Sequence, residues 1–146
     1  MIGLLQRVSS ASVVVGAETI ARIERGLVVL VGIERDDTRL IADRLLERIL
    51  SFRVFSDEQG RMNLSLVNVG GALLLIPQFT LAADTRKGTR ASFTPAAPPE
   101  PGRILFDYLI AQARDRYGIV AAGRFGAEMQ VHLVNEGPVT FYLKVN

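Results

Sequence analysis

The stretch MQVHLVNEGPVTFYLKV, Met129 to Val145, alternates apolar and polar residues on both sides of an interruption at Asn135-Glu136-Gly137-Pro138. A half-buried strand requires this alternation, because successive side chains point to opposite faces of a sheet. The pattern predicts two antiparallel strands, 129–133 and 139–145, joined by the NEGP segment as a turn. That turn is unusual. Pro138 has no N–H and restricts the residue before it, whereas a short hairpin more often uses Asn-Gly or Asp-Gly. The local task of joining two strands leaves Gly137-Pro138 unexplained.

Outward from this segment the chain keeps its β character. Residues 2–15, Thr19–Ile23 and Leu27–Val31 are rich in aliphatic and β-branched residues and are separated by Gly16 and Gly26. They read as three strands, the third buried on both faces because its apolar run is unbroken. A helix is expected over 37–51, where Ile41, Leu45, Ile49 and Phe52 recur at helical spacing. Asp36-Asp37-Thr38 would supply its N-cap and acids for the positive end of its dipole. Asn63–Leu66 reads as a short extended piece. Ala72–Leu81, ALLLIPQFTL, reads as a central strand that ends or bulges at Pro77 and leaves free N–H groups beyond it. Residues 82–102 hold prolines 95, 98, 99 and 101 and form one long irregular stretch. Such loops in small domains are often functional. Ile104, Leu105, Tyr108 and Leu109 mark a second helix that Gly118 ends. The order predicts a single α+β domain over residues 1–146. Its sheet is largely antiparallel, an open β-barrel with two main helices packed on it.

Composition narrows the chemistry. With 146 residues, 49% apolar and 22% charged, the chain suits one aliphatic core and not a disordered segment. A net charge of +2 permits a local nucleic-acid contact without implying one. No cysteine is present, so disulfides and thiol nucleophiles are excluded. The lack of cysteine, of a signal-peptide pattern and of any 18-residue apolar run fits a cytoplasmic protein with no membrane association. No metal site and no cofactor are expected. His132 is the one histidine, and it falls on the polar phase of its strand, where a solvent-facing role competes with any catalytic one. No GxSxG elbow and no phosphate-binding loop occur. Asp84 stands in the long loop, as a turn-former or as a functional carboxylate. Side chains therefore offer no nucleophile–base pair. Either the protein is not an enzyme, or its catalysis rests on backbone N–H groups and on the substrate. Gln78-Phe79-Thr80 at the strand end and the cations Arg86, Lys87 and Arg90 nearby form the one constellation that stands out. The three cations are compatible with holding a phosphate backbone.

PQFTLAADTRKG together with NEGPVTF resembles the D-aminoacyl-tRNA deacylases, also called the D-tyrosyl-tRNA deacylase family. MIGLLQRVSSASVVV, the Gly26–Gly32 strand and GRFGAEMQVHLVN match its pattern as well, so the similarity spans the chain. The resemblance implies a homodimer with active sites at the subunit interface. It implies hydrolysis of the ester between a D-amino acid, or mischarged glycine, and the 3′ end of tRNA. The family's S-Q-F-T-L motif falls on Pro77–Leu81, which makes Gln78, Phe79 and Thr80 the catalytic segment. Its Gly-cisPro motif falls on Gly137 and Pro138, whose carbonyls reject L-amino acids in the partner's site. Its supporting arginine falls on Arg7. In that mechanism the terminal ribose 2′-OH helps to activate water. This chain departs from the pattern at Pro77, where serine is usual, and the role of a hydroxyl there is put in doubt. The competing expectation is a non-catalytic nucleic-acid-binding barrel that uses the basic loop.

Overall fold

Strand β1 (Ile2–Val15) organises the sheet, and the computed structural model describes every residue, Met1–Asn146. One edge of β1 carries β3 (Gly26–Gly32) along residues 2–8 and β2 (Glu18–Ile23) along residues 11–15. The other edge carries β8 (Gln130–Lys144) along nearly its whole length. All three pairings are antiparallel. Beyond β3 the pairing becomes parallel: β6 (Ala72–Pro77) lies on β3, and β7 (Val120–Ala122) on β6. The sheet is thus mixed, and it curls until β2 approaches β6 and β7, which makes a nearly closed barrel.

β8 departs from the expected hairpin. The two alternating segments do not pair with each other. They are collinear parts of one strand of 15 residues, and both pair with β1. Alternation states which face each side chain takes, but not which strand is its partner. From the Gln6–Thr140 pair to the Val8–Asn135 pair, β1 advances two residues and β8 advances five, so three residues of β8 have no place in the ladder. The NEGP segment is an outward bulge opposite Arg7. Asn135 closes its neck: Oδ1 accepts from the Val139 N–H at 2.8 Å, and Nδ2 donates to Thr140 Oγ1 at 2.9 Å.

Two helices cover one face of the sheet. In α1 (Arg39–Ser51), Leu45, Leu46 and Ile49 are fully buried; in α3 (Pro99–Arg116), Phe106 and Leu109 are. They pack on Leu5, Leu27, Val29, Leu73 and Leu75. A smaller cluster fills the other face with Val8, Val13, Ile23, Val28, Leu74 and Ile76. Val28 and Val29 thus serve opposite clusters, as the unbroken run in β3 implied. Each such side chain contributes about 1.5–3 kcal/mol on burial.

Three boundaries differ from expectation. α1 starts at Arg39, with Thr38 as its cap. Asp37 instead faces the buried α-ammonium of Met1, at 2.5 Å, which Glu34 Oε2 and the Val145 carbonyl oxygen also contact. α3 starts five residues before the first apolar marker, because Pro99 and Pro101 sit in the first turn, where N–H groups lack helical acceptors anyway. Leu66 is not extended. After a ribbon of β4 (Phe55–Ser56) and β5 (Met62–Leu64), it opens the one-turn helix α2 (Leu66–Val69), capped reciprocally by Ser65 and Asn68. No helix is long and apolar enough to cross a membrane.

Candidate functional site

β6 ends at Pro77, and the chain turns at once into a 3-10 turn, Phe79–Ala82. Two bonds fix this change of direction. The Gln78 N–H donates to the Val31 carbonyl at 2.8 Å, and the Leu81 N–H to the Gln78 carbonyl at 3.2 Å. The N–H groups of Phe79 and Thr80 precede the first bond of the turn and have no acceptor within it. This is the free backbone edge expected beyond the proline. Thr80 Oγ1 accepts from Gln78 Nε2 at 2.5 Å, so the two polar side chains of the motif are joined to each other.

A cavity of about 640 Å³ opens beside this turn. Ile76, Pro77, Gln78 and Phe79 form one wall, Phe93 and Ala96–Pro99 a second, Phe125–Ala127 with Met129 a third, and Arg35 stands at its edge. Its lining is mainly apolar, with Gln78 and Arg35 as its polar side chains, the balance of a small-ligand site. Arg35 is held rigidly. Its N–H donates to the Pro95 carbonyl at 2.9 Å, and its guanidinium contacts the Thr94 carbonyl oxygen at 3.1 and 3.2 Å.

Gly137 and Pro138 stand elsewhere on the same chain. Their peptide bond is cis, and Gly137 has a φ of +143°. Arg7 anchors the bulge: Nε donates to the Glu136 carbonyl at 2.9 Å, and Nη1 to the Val54 carbonyl at 2.7 Å. A Cβ on Gly137 would lie 2.8 Å from the Val139 nitrogen and 3.2 Å from Arg7 Nη2, so only glycine fits there. The bulge and the cavity do not meet in one protomer: neither Gly137 nor Pro138 lines the cavity, and Arg7 ties the bulge to the Val54 carbonyl instead.

The basic loop divides. Asp84 and Ser92 exchange backbone bonds at 2.8 and 3.0 Å and close the loop between them. Arg86 turns back onto Asp84, with contacts of 2.7 and 2.9 Å from its side chain. That hydrogen-bonded pair holds the Asp84 carboxyl well below the usual carboxylate range and raises Arg86. Asp84 is a turn-former, and it occupies one of the three cations. Lys87 and Arg90 make no ion pair. His132 is exposed on β8 opposite Ser12, and although its neighbour Val131 lines the cavity, His132 does not.

The motif residues Gln78 and Phe79 were visible in the sequence. Phe93, Phe125, Met129 and Arg35 were not, because they converge from three separate segments. The one available signal for Phe93 was an aromatic residue inside a long polar, proline-rich loop.

The sequence matches the D-Tyr-tRNA(Tyr) deacylase family over residues 4–144. A protein of Nitrosococcus oceani named D-aminoacyl-tRNA deacylase is 66% identical over 145 residues, covering 99% of this chain and 94% of that one. A Pseudomonas putida protein of the same name is 62% identical, covering 99% of this chain and all of that one. Among solved structures, one titled c-Myc DNA Unwinding Element Binding Protein superposes with a TM-score of 0.94 at 39% identity, covering 99% and 98% of the two chains. A probable eukaryotic D-amino acid tRNA deacylase superposes with a TM-score of 0.85 at 18% identity over 97% of each chain, a likeness of fold.

Proposed function

The chain belongs to the D-Tyr-tRNA(Tyr) deacylase family and hydrolyses D-aminoacyl-tRNA, and on that premise we propose how its surfaces divide the work. The observation that carries the proposal is the pair of N–H groups at Phe79 and Thr80, beside an apolar cavity and without a neighbouring nucleophile–base pair. Hydrolysis of an ester builds negative charge on the carbonyl oxygen. Two fixed donors aimed at that oxygen each contribute about 3 kcal/mol to the transition state. The terminal adenosine occupies the cavity against Phe79, and Gln78 and Thr80 order the polar rim. Water is the nucleophile, and the ribose 2′-OH assists it, so no histidine base is needed. Pro77 supplies no hydroxyl, which keeps that group outside the chemistry in this chain.

Stereochemistry belongs to the bulge. Gly137 and Pro138 present carbonyl oxygens, Gly137 with no Cβ beside its own, and Arg7 holds the bulge in place through the Glu136 carbonyl. Set against the substrate α-carbon, they leave no room for an L side chain, whereas a D side chain points away. Glycine, with no side chain, passes the same gauge. The separation within one protomer supports a homodimer in which the bulge of each subunit completes the partner's site. β8 supports it too, since its outer edge has no strand partner and Val134 and Tyr142 on it are more than half exposed. Lys87 and Arg90 contact tRNA phosphates, and Arg86 acts mainly by shaping the loop.

The test compares hydrolysis of one amino acid in its D and L forms on the same tRNA, by the wild type and by Gly137→Ala. The wild type should cleave only the D ester, and the variant should lose activity or begin to cleave the L ester. Equal cleavage of both esters by the wild type sinks the steric reading.

A further inference from the structure

Phe79 and Phe93 lie in ring contact, with centroids 5.0 Å apart and planes tilted by 57°, yet they are 59% and 46% exposed. Two large aromatic rings so open to solvent add little to folding, and neither belongs to a core cluster. Phe93 is nevertheless fixed. The Asp84–Ser92 bridge precedes it, and the Arg35 contacts to Thr94 and Pro95 follow it. The Phe93 carbonyl also accepts from the Ala96 N–H at 3.0 Å, and the Ile33 carbonyl from the Ala97 N–H at 2.9 Å. The ring stands on the cavity wall, at the foot of the loop that carries the unpaired Lys87 and Arg90.

A rigid exposed aromatic beside unpartnered cations is the arrangement that holds single-stranded nucleic acid, the ring stacking a base and the cations following the phosphates. We propose that Phe93, Lys87 and Arg90 form a second subsite, which binds the unpaired nucleotides immediately 5′ of the terminal adenosine. The inference rests on the deacylase reading above and extends it. If adenosine fills the cavity, the strand leaving it passes the rim. There Phe93 offers a stacking surface and the two cations offer phosphate contacts. Stacking is indifferent to sequence, so the subsite recognises a single-stranded 3′ end and not one particular tRNA.

The experiment measures inhibition of D-aminoacyl-tRNA hydrolysis by adenosine and by the trinucleotide CpCpA, in the wild type, Phe93→Ala, Phe93→Tyr and the double variant Lys87→Ala/Arg90→Ala. CpCpA should inhibit the wild type at least about tenfold more strongly than adenosine, because it alone reaches the second subsite. Phe93→Ala should abolish that advantage, read as the ratio of CpCpA to adenosine inhibition within the same variant, and Phe93→Tyr should keep it. The double variant should flatten the salt dependence of CpCpA inhibition by about 1.4 log units per log unit of salt, for two phosphates of a single strand. An advantage that survives in Phe93→Ala, no advantage in the wild type, or an unchanged salt slope overturns the subsite. Failure of the wild type to hydrolyse D-aminoacyl-tRNA would instead overturn the parent reading, and the subsite with it.

Discussion

Arg7 is the sharpest place to perturb the bulge without touching it. Its guanidinium makes two bonds to carbonyl oxygens, one to Glu136 in the bulge and one to Val54 in the loop before β4. Hydrogen bonds to a charged group contribute about 1.5–3 kcal/mol each. The Glu136 bond is exposed and the Val54 bond partly buried. Both therefore belong near the lower end, and Arg7→Ala should cost about 2–3 kcal/mol. For a domain of this size each kcal/mol lowers Tm by roughly 3–4 °C, so a fall of about 6–12 °C is expected by differential scanning fluorimetry. The catalytic consequence is separable. If about 2 kcal/mol of that tether fixes the bulge against the substrate, kcat/KM on D-aminoacyl-tRNA falls about 30-fold, since 1.36 kcal/mol is tenfold in rate. Arg7→Lys supplies the charge but not the two-pronged reach, and it should fall between the two. A Tm drop of the expected size with kcat/KM within about twofold of wild type would refute the reasoning, because the bulge would then be a structural feature outside the site.

Three further outcomes follow from the same contacts. Asp37→Asn leaves the buried Met1 ammonium without its nearest carboxylate and should destabilise the fold by about 3 kcal/mol in urea titration, as losing one partner of a buried pair does; a change under about 1 kcal/mol contradicts the burial argument. Partial burial pulls the Glu34 carboxyl upward, but hydrogen bonds and charge from Lys144 and the Met1 ammonium outweigh it, and the group sits below its ordinary value of 4.5. Its stabilising contribution is therefore present above about pH 4.5 and lost as pH falls through the lower folded value; the urea midpoint should decline in that window, and less steeply in Glu34→Gln. Pro77→Ser places a hydroxyl on the cavity wall and should leave kcat/KM within about threefold, because the backbone donors carry the electrostatic work; a tenfold rise would show that a side-chain hydroxyl shares it.

Much of the molecule was legible from local chemistry. Gly16 and Gly26 separate the first three strands, the unbroken run at Leu27–Val31 marks a strand buried on both faces, and the 3.6-residue recurrence of Ile41, Leu45 and Ile49 marks α1. These signals survive because each depends on a residue's own conformational limits or on one element's apolar face. The family motifs were legible for the same reason, as contiguous strings. Two local signals carry more than an extended or loop reading draws from them. Ser65 and Asn68, three residues apart, cap a helix at Leu66 where an extended piece is expected. Pro99 and Pro101 open the first turn of α3 where a loop is expected, because proline fits a first turn as well as it breaks a later one.

By itself the sequence determined the α+β composition, the end of β6 at Pro77, the absence of cysteine, the single histidine, and the two motifs that name the family. Only the tertiary structure decided what those pieces face. Alternation assigns Gln130–Lys144 to a strand but cannot say that its halves are collinear on β1, because period two carries no information about the partner. It also cannot say that β3, β6 and β7 run parallel. The cavity is a product of that decision, since Arg35, Gln78, Phe93, Phe125 and Met129 come together only when the ends of β3 and β6, the 93–99 segment and the approach to β8 converge. The same geometry turns NEGP from a hairpin turn into a bulge that Arg7 holds away from its own cavity, because β1 is long enough to pair with both halves of β8 and leaves three residues with nowhere to go but outward.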